Sequence, residues 1–269
     1  MSQSKTKSGG AKAATQKAGP LTVAVDDGYA QTKVYGEGPD GKIVTLCMRS
    51  SVRPGRYGLS DLSGRGAQAA YDTDEGEPFT VSDQVEAEDT KFEGFHVSTM
   101  NRVLVNHALV RTGFAGRDVR LMTGVPVEDF FFDGEKDEDL IGRKRENLLK
   151  PVYPVSGGET AKIGDVYVGC QAVAAFFDYV VGDDLKERAD WNRTIAVVDV
   201  GGRTTDVAVV RNGQSIDHRM SGTENLGVLD VYEAVAKGVR RKFRTKDEFA
   251  LAALDRAVRE RKVTLWSED

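Results

Sequence analysis

Cysteine is scarce in this chain, with Cys47 and Cys170 the two examples among 269 residues. Two cysteines are too few for a disulfide scaffold, and the sequence has no CxxC or HExxH spacing, so a disulfide-stapled domain and the common zinc motifs are excluded. No apolar run reaches the roughly 18 residues that a membrane-spanning helix needs. These absences predict a reduced, cytoplasmic setting and no membrane partner.

Basic charge is not in excess either, since 42 acidic side chains against 37 basic ones give a net charge of −5. This balance argues against a general nucleic-acid-binding surface. The first 19 residues are an exception, because four lysines and no acidic residue occur there, without the apolar segment of a signal peptide. We expect residues 1–19 to form a disordered tail, with a basic arm that touches DNA or an acidic partner as the alternative.

What the chain does contain is a motif that occurs twice. Asp26-Asp27-Gly28 and Asp199-Val200-Gly201 each follow an apolar run and precede a second β-rich run. Each copy predicts a tight hairpin with an aspartate at the end of its first strand. The first aspartates of the two copies are 199 − 26 = 173 residues apart, which excludes a short-period repeat. The pattern indicates a duplicated domain that closes two hairpins around one ligand.

The residue types of the two turns indicate the class of ligand. Glycine-rich turns offer backbone N–H groups to phosphates. Two carboxylates that face such turns need a cation between them, and Mg²⁺ is the usual one. A single aspartate in this position often does no more than cap its turn, but the pair favours a metal and phosphate site.

The order and spacing of these segments resemble the actin, hexokinase and heat-shock-chaperone ATPase superfamily, and within it the ParM/StbA family of plasmid-segregation actins. Further segments carry the same resemblance: Val105–Leu109, Thr112–Phe114, Gly124–Phe131 and Asn225–Val228. The likeness extends from about Leu21 to about Lys242. It implies an α/β, actin-like ATPase fold made of duplicated RNase H-like halves with small inserted subdomains.

The resemblance also implies domain boundaries. The first actin-like domain is expected at residues 20–184, with an inserted subdomain at about 50–95, and the second at residues 190–269. The family's adenosine motif is a glycine-rich turn late in the second half, whereas no glycine follows Gly238. We therefore expect the second half to be C-terminally incomplete, with a weakened hold on the nucleoside; an adenine held in another way is the alternative.

Residues that contact the ligand follow from the same resemblance. The residues implied to bind ATP or GTP with its Mg²⁺ are Asp26, Gly28, Lys33, Asp199, Gly201, Gly202, Thr204 and Thr205. Asp26 and Asp199 are the expected metal sites, and the glycines let the backbone approach phosphate oxygens. Alternatives remain for two members, because Lys33 is also typical of an outward-facing strand lysine and Thr205 of a strand former.

Gln171 completes the implied catalytic set with Asp26 and Asp199. It follows a strand, opens a helix and lies between the two hairpins in the sequence. The superfamily places there the residue that orients the attacking water; actin has glutamine and the plasmid relatives have glutamate. Glutamine is no strong base but can hold a water in line, which is compatible with slow hydrolysis. An ordinary glutamine at a helix N-terminus is the alternative.

Two further elements have plain interpretations. Residues 137–150 predict a charged helix whose basic side chains, Arg143, Lys144, Arg145 and Lys150, form a solvated face. His107 lies among the apolar residues of a helix predicted to end near Arg111, and is expected to be a hydrogen-bonded packing residue rather than a ligand.

The implied function is that of an ATPase that forms filaments for plasmid DNA partition. Its partners would be further copies of itself and a DNA-binding adaptor, with plasmid DNA contacted only indirectly. A non-hydrolysing binding or filament-regulating fragment of the same fold is one alternative. A small-molecule kinase of the same superfamily is another.

Overall fold

The computed structural model describes residues 19–57, 69–82, 90–182 and 184–263. The strands are β1 Leu21–Asp27, β2 Gln31–Glu37, β3 Ile43–Arg49, β4 Val52–Pro54, β5 Ala69–Thr73, β6 Phe79–Val81, β7 Asp118–Val125, β8 Phe131–Phe132, β9 Glu135–Lys136, β10 Val152–Pro154, β11 Lys162–Cys170, β12 Thr194–Val200, β13 Thr205–Arg211, β14 Ser215–Ile216 and β15 Gly222–Glu224. The helices are α1 Thr99–Arg111, α2 Val127–Phe130, α3 Glu138–Leu149, α4 Gln171–Val180, α5 Val228–Phe243 and α6 Leu251–Glu260. The tail predicted at residues 1–19 lies outside the described residues apart from Gly19.

The first half is organised by a five-stranded sheet in the order β11-β7-β1-β2-β3. β1, β2 and β3 form an antiparallel meander that contains the first predicted hairpin, and β7 and β11 run parallel to β1. Apolar residues alternate along β1, so that Val23 and Val25 are both 1% exposed on the face covered by helices. β1 is the central strand of this sheet, and its buried valines belong to the hydrophobic core. The turn that follows β1 is therefore attached to a well-packed strand.

α1 is buried between this sheet and a small second sheet. Ser98 caps its N-terminus by accepting from Asn101 N at 3.2 Å. The second sheet has the order β10-β5-β6-β4, and β10 comes from beyond the predicted insertion at residues 50–95. His107 lies 2.9 Å through Nδ1 from the hydroxyl of Tyr71 and is buried, which confirms the prediction of a hydrogen-bonded packing residue.

The second half begins with the other predicted hairpin. β12, β13 and β14 are consecutive antiparallel neighbours, and β15 also pairs with β13. Asn212 and Gly213 both adopt positive φ, 51° and 62°, as the turn after β13 requires. Among the described residues β12 pairs with β13 alone, and Val198 is 60% exposed. In the described part of the chain, β12 thus has one strand neighbour fewer than β1, which pairs with both β2 and β7.

Three predictions about helices and strands need correction. The mixture of basic, acidic and apolar residues from Lys246 to Arg261 predicts an amphipathic helix, but the helix begins at Leu251, because α5 ends in a left-handed residue at Arg244 and the chain then brings Phe249 back against α5. The residues after the Asn212-Gly213 turn predict a further strand at Gln214–Met220, but that strand is shortened to Ser215–Ile216, since Asp217 forms a turn by accepting from Arg219 N. The solvated face predicted for residues 137–150 is wrong at Lys144, which is fully buried.

Candidate functional site

Both hairpin turns open onto one cavity of about 980 Å³ between the two halves. The predicted site residues that line it are Asp26, Gly28, Lys33, Gln171, Asp199, Gly201, Gly202 and Thr204. Segments 173 residues apart in sequence are thus brought to the same wall. Thr205 is not part of that lining, because its hydroxyl donates to Leu226 O at 2.7 Å.

The carbonyl groups of the turn after β1 accept hydrogen bonds from neighbouring residues. Ser50 donates to Gly28 O through its hydroxyl at 2.7 Å and to Ala30 O through its backbone N–H at 3.0 Å, and the Thr90 hydroxyl donates to Tyr29 O. In a trans peptide the N–H points opposite to the carbonyl of the same unit. The N–H group of each of these three peptide units therefore points away from the donor that holds its carbonyl, and backbone N–H groups of a turn are the chemistry that binds anions.

The turn after β12 shows the same arrangement with different partners. The first two N–H groups of α5 donate to Gly201 O and Gly202 O at 3.0 and 2.9 Å, and Lys91 Nζ donates to Arg203 O at 3.0 Å. The N-terminal amides of a helix usually serve as an anion site, but here they fix the turn. The N–H groups that remain to meet an anion are those of the turn itself.

The two turns touch each other. A Cβ atom added to Gly202 would lie 2.2 Å from Cβ of Ala30, and one added to Gly227 would lie 2.5 Å from the backbone of Gly202. Gly202 does not adopt a positive φ. Glycine is thus required at Gly202 by the close approach of the Ala30 methyl group and not by a left-handed conformation.

Asp26 is neutralised within its own hairpin. Lys33 is its cross-strand partner, and Lys33 Nζ donates to Asp26 Oδ2 at 2.9 Å. Gln171 Nε2 donates to the other oxygen, Oδ1, at 3.0 Å. Partial burial opposes the charge of Lys33, but the hydrogen bond and charge of Asp26 outweigh it and raise the pKa of Lys33. The lysine therefore stays protonated at the cavity wall.

Asp199 has a different environment, because its cross-strand partner is Asp206. Asp206 is buried and accepts from Val127 N at 2.9 Å and from the Thr223 hydroxyl at 2.6 Å. Desolvation, followed by the negative charges of Asp26 and Asp206, raises the pKa of Asp199, which Lys33 opposes. The second hairpin thus carries an excess of negative charge that a cation would offset.

The two aspartates fit a Mg²⁺ site better than a site for a softer metal. Among the described residues there is no cluster of three or more His, Cys, Asp or Glu side chains that could hold an ion by itself. Mg²⁺ commonly keeps most of its waters and binds through one or two carboxylates together with substrate phosphates. Asp26 and Asp199, on facing turns of one cavity, provide that donor set.

A buried ion pair stands directly behind the first turn. Lys144 Nζ donates to Asp27 Oδ2 at 2.7 Å and to Gly124 O at 2.9 Å, and both side chains are at most 1% exposed. Asn101 and Thr123 each donate a further hydrogen bond to Asp27 at 2.6 Å. Desolvation pushes the pKa of Asp27 upward, but the charge of Lys144 and these bonds hold it below its ordinary value.

The prediction of a solvated face for Lys144 fails because α3 lies over β11. Ile141, Lys144 and Leu148 fall on one side of the helix at the i, i+3, i+7 spacing of a buried face, and Ile141 and Leu148 are indeed buried. That spacing is the signal that the charge pattern obscured. The ion pair is connected to the site through Gly124, whose carbonyl accepts from Lys144. A Cβ on Gly124 would lie 2.7 Å from Cγ of Gln171.

The far wall of the cavity comes from the two helices of the second half. Tyr232 of α5 and Leu251, Asp255 and Arg259 of α6 line it. Arg259 Nε donates to both oxygens of Asp255 at 2.8 and 2.9 Å, and the Tyr232 hydroxyl donates to Asp255 as well. An aromatic ring, an aliphatic side chain and a fixed ionic pair thus form a wall that the sequence did not predict.

Comparison of the chain with family models shows the family to which it belongs. The family model described as "Plasmid segregation protein ParM, N-terminal" matches residues 21–181, more than half of the chain. This chain belongs to the ParM family. A second model, "Archaeal actin homologue MreB-like, C-terminal", matches residues 197–265. The predicted membership of the ParM/StbA family is confirmed.

Solved structures of ParM and related proteins share the fold. A non-polymerisable quadruple mutant of pCBH ParM is 19% identical, with a TM-score of 0.65 over 93% of this chain and 76% of that one. The archaeal actin homologue Ta0583 in complex with ADP is 23% identical, with a TM-score of 0.63 over 88% and 70% of the two chains. The AlfA filament from the B. subtilis plasmid pLS32 is 16% identical, with a TM-score of 0.55 over 82% and 78%. The predicted actin-like α/β fold is thereby confirmed.

The search for curated relatives and the search of the described helices for membrane spans both gave negative results. No curated protein matches the sequence. None of the helices in the described part of the chain has the length and apolarity to cross a bilayer.

Proposed function

We propose that this ParM family member binds a nucleoside triphosphate with Mg²⁺ between its two hairpin turns, hydrolyses it slowly and polymerises to segregate plasmid DNA. The observation that carries the proposal is the matched pair of turns. In each, three consecutive carbonyls accept hydrogen bonds from the surrounding structure. Both turns therefore direct a row of N–H groups to the ligand, which is the chemistry of a phosphate site.

The phosphate groups would lie against the turns that contain Gly28, Gly201 and Gly202. Thr204 adds a hydroxyl at the same wall. Lys33 adds a positive charge, because the hydrogen bond to Asp26 keeps the lysine protonated. Thr205 is left out of the phosphate contacts, because its hydroxyl is engaged with Leu226 O. Its role in this proposal is to fix the end of the second turn.

Asp26 and Asp199 would hold Mg²⁺ through its waters. When bound, the ion would neutralise charge on the phosphate oxygens. The excess negative charge around Asp199 indicates that this carboxylate has the greater need of the cation. Asp26 already has Lys33 and Gln171 as partners.

Gln171 would orient the attacking water. Its amide nitrogen donates to Asp26, so its carbonyl oxygen is left to accept a hydrogen bond from water. The contact with the Gly124 backbone limits the positions that the side chain can take. An amide positions water without removing its proton efficiently, which is why we propose slow turnover.

The nucleoside would lie toward α5 and α6. Tyr232 and Leu251 offer apolar surface, and the Asp255–Arg259 pair offers both a donor and an acceptor. These groups suit an adenine or a guanine base, and we propose ATP or GTP as the substrate.

The proposed partners follow from the family. Self-assembly is supported by the likeness to the AlfA filament and to a ParM variant described as non-polymerisable. A DNA-binding adaptor would connect the filament to plasmid DNA, since the net charge of −5 argues against direct contact. The proposed domains remain residues 20–184 and 190–269, with the cavity between them.

The proposal is tested by measuring Mg²⁺-dependent ATP and GTP binding, phosphate release and sedimentation of the unaltered chain beside three variants. Gln171→Ala should lower kcat by at least about tenfold while binding stays near its original strength, because the water is oriented in the transition state. Gln171→Glu should at least retain turnover. Asp199→Asn should remove the Mg²⁺ dependence of binding.

Other outcomes would select a different function. Binding without phosphate release in the unaltered chain would favour a non-hydrolysing, filament-regulating protein. Phosphate transfer to a small molecule would favour a kinase. Failure to bind either nucleotide, with or without Mg²⁺, would exclude the proposed site altogether.

A further inference from the structure

Adjacent residues contact the two turns from the same short segment. The Thr90 hydroxyl donates to Tyr29 O in the first turn. Lys91 Nζ donates to Arg203 O in the second turn at 3.0 Å and to Asn225 O at 3.4 Å. Two consecutive side chains thus reach carbonyl groups that lie 61 and 112 residues away along the chain.

The segment itself is held in place next to the first turn. Thr90 is 3% exposed, and Phe92 N donates to Thr90 O at 3.1 Å. Phe92 packs edge-on against Phe95, with ring centroids 5.7 Å apart, and Phe95 packs against Tyr29 at 5.4 Å. This aromatic chain gives Lys91 a fixed base from which to reach the other half.

The two bonds act on peptide units of the two turns that the proposed function assigns to the phosphates. The Tyr29 carbonyl belongs to the same peptide unit as the Ala30 N–H, and the Arg203 carbonyl to the same unit as the Thr204 N–H. A hydrogen bond to a carbonyl polarises the unit and strengthens its N–H as a donor, more so when the donor is charged. Both contacts therefore orient and polarise a phosphate-binding group.

We propose that Thr90 and Lys91 are a pair of positioning residues that couples the two turns, holding them at the spacing that lets both engage one phosphate chain. This inference rests on the proposed nucleotide site and extends it. The direct contact between Ala30 and Gly202 shows how small the tolerance is. Neither residue contacts the reacting atoms in this proposal; both act through the turns.

The first test uses the full chain without nucleotide, so it does not depend on the proposed function. Hydrogen exchange is measured at three amides that are bonded within or to the second turn, those of Gly201, Val228 and Leu229. Lys91→Met should increase their exchange about tenfold, the loss expected for one charge-assisted hydrogen bond. Lys91→Arg retains the donors and should leave exchange near that of the unaltered chain.

Thr90→Val is the decisive variant, because it is nearly isosteric and its hydrogen bond is to the first turn alone. Coupling predicts faster exchange in the second turn for this variant too. Lys237→Met is the matched control, since Lys237 is exposed in the middle of α5. It should change nothing. Unchanged exchange in the second turn of the Thr90→Val chain would overturn the coupling, whatever Lys91→Met does.

The second test measures Mg²⁺–ATP affinity and kcat for the same variants. Lys91→Met and Thr90→Val should each weaken affinity about tenfold, and Lys91→Arg should restore it. A purely structural role would lower the melting temperature and leave the affinity of the folded fraction unchanged, which would contradict the proposal. If the unaltered chain binds no nucleotide, the proposed function fails, while hydrogen exchange still decides the coupling.

Discussion

The two hairpin turns are built from the same motif but differ in charge. Across the first hairpin Asp26 faces Lys33, and across the second Asp199 faces Asp206. The first hairpin therefore contains its own ion pair, whereas in the second hairpin desolvation, followed by the charges of Asp26 and Asp206, raises the pKa of Asp199. The two hairpins thus have the same strand pairing, but a lysine faces the aspartate in one and a second aspartate faces it in the other. The second hairpin therefore has the greater need of a cation.

The turns also differ in what supports them. The first follows a central strand whose Val25 is 1% exposed, and side chains of Ser50 and Thr90 fix its carbonyls. The second follows β12, whose Val198 is 60% exposed, and is fixed by the start of α5 and by Lys91 from the first half. We infer that the first turn is the rigid reference and that the second takes part of its position from the first.

The largest expected effect comes from the ion pair that supports the first turn. Lys144→Met leaves the Asp27 carboxylate buried without its partner, which should reduce the free energy of unfolding by about 3–5 kcal/mol. Arg143→Met is the matched control, because its pair with Asp139 is exposed and should matter by less than about 1 kcal/mol. Urea denaturation measures both. Equal losses in the two variants would show that the first turn does not depend on the buried pair.

Matched valines test the difference in burial between β1 and β12. Val25→Ala should cost about 2 kcal/mol, because it removes buried methyl groups from the core. Val198→Ala should change stability by about 0.5 kcal/mol or less at an exposed position. Thermal unfolding at several protein concentrations checks the pair. A large, concentration-dependent loss for Val198→Ala would mean that another copy covers β12 in solution.

The contact between the turns provides a sharper test of their spacing. Gly202→Ala places a methyl group on Ala30 and should weaken nucleotide binding about tenfold, equivalent to about 1.4 kcal/mol. Gly28→Ala should have less effect, because its new Cβ would lie 3.2 Å from Gln31 O. Adding Ala30→Gly to Gly202→Ala should restore affinity. If the double variant stays weak, the spacing of the turns is not what Gly202 protects.

The smallest expected effect is a pH dependence at the second turn. Because the pKa of Asp199 is raised on folding, its relative contribution to stability is complete below the ordinary value of 3.8 and is lost as pH rises through the raised value. Asp199→Asn should remove this loss and be slightly more stable than the unaltered chain at neutral pH without Mg²⁺. Melting temperatures between about pH 4 and about pH 8 measure the difference. A less stable variant throughout that range would show that Asp199 is not under repulsion.

The sequence determined the local parts of this protein. Alternating apolar residues and Asp-x-Gly turns specified both hairpins, and Gln171 begins a helix, as the sequence predicts. These features depend on neighbours in the chain, whose spacing and turn chemistry are written directly in the residues. The motifs were also specific enough for the family resemblance that the comparisons confirm.

Tertiary structure decided what those parts contact. It buried Lys144, a lysine in a charged helix, against Asp27; it turned the Thr205 hydroxyl to Leu226 O; and it brought Lys91 to the second turn. Each of these contacts joins residues that are 21 to 117 positions apart. At such separations, burial and the choice of hydrogen-bond partner depend on how sheets and helices pack. The periodicity of one helix or strand predicts which face is buried, but not which residues of another element will contact it.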